Sequence, residues 1–68
     1  MRRELKLVTS KAGLSETVEF IIHDIDGEVS EVYVVWNDME IVFDYDIDGA
    51  MEKTEAFFRQ EILIRDLI

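Results

Sequence analysis

The chain has 68 residues, 49% of them hydrophobic, and sixteen Asp and Glu outnumber seven Lys and Arg for a net charge of −9. That length supports one domain, 1–68, and the apolar share is too high for a disordered acidic tail. With no cysteine and a single histidine, His23, disulfides, thiolate chemistry and cysteine- or multi-histidine metal centres are excluded.

In chain order, Leu5 and Leu7 alternate with Glu4 and Lys6, which predicts a first strand over about 3–9. Ser10 to Ser15, with Gly13, reads as a loop. The segment that follows fits two templates. Leu14, Val18, Ile21, Ile22 and Ile25 match helical spacing with Ser15 as N-cap, which would make residues 15–25 a helix in a β-α-β-β-α order. As a strand over 17–25 the segment instead pairs well with its neighbour. A loop Asp26-Gly27-Glu28 places Ile22 opposite Val32, Phe20 opposite Val34, Val18 opposite Trp36 and His23 opposite Glu31. A two-residue turn at Asn37-Asp38 then pairs Trp36 with Met39, Val34 with Ile41 and Val32 with Phe43. The same alternate positions become apolar in three successive strands, and a slip of one residue would scatter them.

A fourth strand is expected over 39–47 and a helix from 49, capped by Asp48, with Glu52 and Glu55 near its positive end. Phe57, Phe58 and Ile62 can cover the sheet. Continued helix is favoured over strand for 61–68. The expected fold is α+β, a four-stranded antiparallel meander with one C-terminal helix across one face.

Asp44-Tyr45-Asp46-Ile47-Asp48-Gly49 with Glu55 matches the EF-hand loop pattern at every required position, which would make Asp44, Asp46, Asp48 and Glu55 calcium ligands. As an extended strand, the same three aspartates stand roughly 6–7 Å apart on one face, too far to share an ion, with Tyr45 and Ile47 facing the core. The strand reading is preferred and no metal or other cofactor is expected. His23 reads as a cross-strand partner of Glu31. No serine or threonine sits in a nucleophile setting and the three glycines are isolated, so no enzymatic activity is expected. No run of about 18 apolar residues and no cleavable signal pattern is present, so the expected location is cytoplasmic, with no membrane contact.

Charge is the informative feature. From Ala12 to Glu52 there are twelve acids and no Lys or Arg. By strand parity the outer sheet face would carry Glu19, His23, Glu31, Glu40, Asp44, Asp46 and Asp48 around Ile21, Tyr33 and Val42. This is either a solvated face or a docking surface for a basic partner; nucleic acid itself would be repelled. In size, charge and lack of cysteine the chain resembles the small acidic DNA-mimic inhibitors of bacteriophages. The resemblance carries no motif and assigns no residue. It implies a protein that occupies the DNA-binding surface of a basic host protein in a bacterial cell, such as the histone-like nucleoid protein HU. The expected partner-binding residues are then Glu19, Glu31, Tyr33, Glu40, Asp44, Asp46 and Asp48. A homodimer is expected through Leu63, Ile64, Leu67 and Ile68; a plain assembly or scaffolding subunit would rely on that apolar end instead of the acidic face.

Overall fold

The computed structural model describes residues 1–9, 13 and 15–67, with side chains up to residue 60. Four strands, β1 (Arg2–Thr9), β2 (Ser15–Ile25), β3 (Glu28–Trp36) and β4 (Met39–Asp44), form an antiparallel sheet in the order β1-β2-β3-β4, followed by α1 (Ile47–Leu67). The fold is α+β, as expected. Residues 15–25 are a strand, and the backbone of 61–67 continues the helix. The expected dimer residues Leu63, Ile64, Leu67 and Ile68, and the covering role of Ile62, concern side chains outside the described residues.

The β2–β3 and β3–β4 turns each put two consecutive residues at positive φ, Asp26 and Gly27 at 53° and 81°, Asn37 and Asp38 at 51° and 62°. These are the mirror-image turns whose twist matches that of the flanking strands. The first loop is thus one residue shorter than expected, since Ile25 pairs with Glu28. A bulge at Ser30 restores the difference, so Ile22 still faces Val32, Phe20 faces Val34 and His23 faces Glu31; the ladder stops at Glu19–Val35, one step before Val18 and Trp36. The Ser30 hydroxyl donates to the His23 carbonyl at 2.9 Å and so holds the bulge.

In β4 the expectation fails. Trp36 pairs with Met39 and Val35 with Glu40, but Ile41 is an extra residue, after which Val34 faces Val42, Tyr33 faces Phe43 and Val32 faces Asp44. Everything beyond the bulge therefore sits on the opposite face from the one its parity predicts. Val42 enters the core, Phe43 moves to the outer face, and Asp44 turns toward the helix.

The core lies between one sheet face and α1. It consists of Val8, Val18, Phe20, Ile22, Val32, Val34 and Val42 from the strands, with Ala50 and Phe58 from the helix. Ile47, Ala50, Met51, Thr54, Phe57 and Phe58 recur at helical spacing and form the packed stripe. Thr54 is fully buried, and its hydroxyl donates back to the Ala50 carbonyl at 2.7 Å, which satisfies it. Trp36 meets Phe57 and Phe58 edge-on, with centroids 6.2 and 5.4 Å away. Toward the start of β1 charged residues help to close the core. Glu4 and Lys6 share its face with Val8 and bond each other at 3.1 Å, while Nζ of Lys6 stands 5.7 Å above the Phe20 ring.

Candidate functional site: the outer sheet face

With the helix on one face, the other is uncovered, and register assigns its residues. Arg3, Ile21, Tyr33 and Phe43 form one row across all four strands; Leu5, Glu19, Val35 and Glu40 form the next; His23 and Glu31 lie beyond Tyr33. Aromatic rings connect along this face. His23 meets Tyr33 at 5.6 Å between centroids, Tyr33 meets Phe43 at 5.1 Å, and Phe43 meets Tyr45 at 5.2 Å. Edge-to-face and tilted rings at these distances hold one another, so the row is a preformed surface.

Carboxylates frame it. The Tyr33 hydroxyl donates to Oε2 of Glu31 at 3.2 Å. That bond, with some desolvation and the nearby charges of Glu31 and Glu40, raises the Tyr33 pKa above its ordinary value and keeps the phenol neutral. Glu19 pairs with Arg3 at 3.5 Å. Toward the other end, Leu5 and Leu7, 74% and 66% exposed, line an open depression of about 680 Å³ together with Thr17, Glu19, Val35 and Trp36. Sequence pattern alone does not single out Leu5 and Leu7. Their alternation with Glu4 and Lys6 fixes two faces but not which face is covered.

The structure brings Glu19, Glu31, Tyr33 and Glu40 together on this face, as the parity predicted. It does not bring Asp44, Asp46 and Asp48 there. Asp44 lies on the helix side, where Oδ2 pairs with Lys53 at 2.8 Å and Oδ1 accepts from the backbone N–H groups of Tyr45 at 2.6 Å and Asp46 at 3.2 Å. The hydrogen bond from Lys53, then those from the two amides, hold its carboxyl below the ordinary aspartate range. Asp46, not Asp48, caps the helix, its Oδ1 accepting from the Gly49 N–H at 2.5 Å. The helix accordingly begins two residues before the expected start. Gly49 leaves room for Asp44, because a Cβ there would stand 2.7 Å from that aspartate's Oδ1 and the carboxylate would have to shift. Asp48 is exposed in the first turn, where the helix dipole favours it.

The EF-hand pattern does not gather into a chelating site. The carboxylates of Asp44 and Asp46 are taken up by the turn and the cap, and α1 starts in the middle of the motif. Among the described residues no three His, Asp or Glu side chains converge where a metal could sit.

Two aromatic residues of the surface, Phe43 and Tyr45, do not follow from strand parity, which puts both on the core side; Tyr45 is 71% exposed. The run Ile41-Val42-Phe43 did not reveal the bulge, because Phe20-Ile21-Ile22 in β2 is an equally long apolar run that pairs without one. Val42, expected on the outer face, is buried. Among the described residues no helix is long and apolar enough to cross a membrane. The chain matches no protein-family model, no curated protein and no solved structure, so its own residues carry the functional reading.

Proposed function

We propose that this protein is a binding module whose outer sheet face occupies the DNA-binding surface of a basic protein, in the manner of a DNA mimic, with a histone-like nucleoid protein such as HU as the target. The carrying observation is the aromatic row His23–Tyr33–Phe43–Tyr45 framed by Glu19, Glu31 and Glu40 on an uncovered face. The net charge of −9 steers a basic partner toward the molecule and speeds encounter. The rings supply the short-range hold that charge alone lacks, since aromatic side chains concentrate binding energy at interfaces. Asp26 and Glu28 at the β2–β3 hairpin add negative charge beyond His23 and Glu31, whereas Asp24 pairs with Arg2 at 3.5 Å.

The test is capture from nuclease-treated bacterial lysate on immobilised protein, with salt-step elution and identification by mass spectrometry. A basic DNA-binding protein retained at low salt, released at higher salt and displaced by duplex DNA is the expected result. The combined Glu19→Gln, Glu31→Gln and Glu40→Gln variant should retain at least tenfold less of it while melting as a folded protein. Capture unchanged in that variant, or no basic protein enriched at all, would discard the reading.

A further inference from the structure

An open sheet has two edges, and in this molecule they are unlike. The β4 edge is six residues long, is interrupted by the Ile41 bulge, carries Glu40 and Asp44 and runs on into Asp46 and Asp48. A short, bulged and charged edge is protected against pairing with another chain. The β1 edge is eight residues long, pairs with β2 without any register shift, and has Arg2, Arg3 and Lys6 against Glu4. It is the only strand with a positive balance in a chain of net charge −9. Among the described residues no bulge, helix or loop covers it.

We propose that two copies of this chain pair through their β1 edges, antiparallel about a two-fold axis at Leu5, to form one continuous eight-stranded sheet. Two-fold symmetry requires that residues directly opposite each other lie on the same face, so both helices end on one side. That leaves axes through single residues, and side-chain chemistry chooses among them. An axis at Arg3 opposes Arg3 to itself. One at Glu4 opposes Glu4 to itself and Arg2 to Lys6, and one at Lys6 opposes two lysines. An axis at Leu7 is neutral but pairs only residues 5–9. The axis at Leu5 pairs residues 2–8, an overlap equalled only by the axis at Lys6 that opposes two lysines. It sets Glu4 opposite Lys6 of the second copy twice, and Leu5 opposite Leu5. Opposite charges and apolar residues in directly facing positions are the pairs that stabilise a ladder.

Glu4 and Lys6 already bond each other within one copy at 3.1 Å, so pairing would join four such groups into one network. Leu5, 74% exposed in the single copy, would gain its apolar neighbour at the axis. Because the β1 strands come together, the acidic β4 edges and helix starts stay at the far sides, which limits repulsion between two anionic bodies.

Sedimentation velocity from micromolar to millimolar protein tests this. The wild type should approach twice the monomer mass and stop there. Leu5→Lys, at an exposed position, should weaken the dimer at least tenfold while leaving the melting curve of the monomer in place. Glu4→Lys alone and Lys6→Glu alone each oppose like charges and should be monomeric, whereas an equimolar mixture of the two should dimerise. A wild type that stays monomeric at millimolar concentration would overturn the proposal. So would a dimer indifferent to Leu5→Lys, a mixture that fails to associate although both variants melt cooperatively, or growth beyond the dimer, which would indicate β1 adding to β4 of the next copy.

Discussion

The β2–β3 and β3–β4 hairpins have the same kind of turn and the same number of bulges, yet the residue pattern yields the correct register for only one of them. In β2–β3 the turn Asp26-Gly27 is shorter by one residue than a three-residue loop, and the bulge at Ser30 adds that residue back. Two departures from the expected path cancel within six positions, and the long apolar ladder beyond them is unchanged. In β3–β4 the turn is as expected and the bulge at Ile41 stands alone. Nothing compensates it, so the rest of β4 exchanges faces. A bulge is thus invisible in its consequences when a turn offsets it, and decisive when none does. The uncompensated one produces the outer-face surface, because it turns Phe43 toward Tyr33 and Asp44 toward Lys53.

The strongest way to break this comparison is to exchange charges across the bulge. Val42→Asp should bury a carboxylate with no partner, at a cost of more than about 3 kcal/mol, enough to unfold a domain of this size. Phe43→Asp, one residue on, should fold and instead abolish capture of the basic partner. Circular dichroism melts of the two variants decide it; the opposite order of stabilities would restore the unbulged register.

A smaller effect separates the turns. At Gly27 an added methyl would meet nothing within 4 Å, but the backbone stands at φ 81°, so Gly27→Ala should cost about 1–2 kcal/mol through backbone strain alone. The equivalent position of the second turn is Asp38 at φ 62°, and Asp38→Gly should stabilise by up to about 1 kcal/mol. Urea denaturation measures both, and equal responses at the two sites would mean that the turns are not of one type.

The smallest effect concerns acid. The pKa of Asp44 is lowered in the folded state from an ordinary 3.8, so its stabilisation is present above that value and is lost as pH falls through the folded value. Asp44→Asn should therefore lower the melting temperature at neutral pH and flatten its decline below pH 3.8. An unchanged acid limb would place Asp44 in solvent, on the face it would occupy without the bulge.

Strand number, order and the inner faces of β2 and β3 were legible because alternation in both strands agrees with a single register. The orientation of β1 was not, because Lys6 and Glu4 serve as cover over Phe20 through aliphatic stem and ion pair, which no hydropathy pattern registers. The helix start was misplaced because Asp46 and Asp48 are equally good caps in isolation. The choice follows from Asp44, whose carboxylate accepts from the Asp46 N–H and so fixes the turn that leads into Asp46. Of the outer surface, Glu19, Glu31, Tyr33 and Glu40 followed from parity, while Phe43 and Tyr45 depended on the bulge.

Trp36 is the only tryptophan in the chain, and it stands at the end of β3 with the rings of Phe57 and Phe58 edge-on to it. Its indole therefore senses the seating of the helix on the sheet. Undocking α1 would wet that ring and move its fluorescence to longer wavelength, so the molecule carries its own optical gauge of helix attachment, without a label.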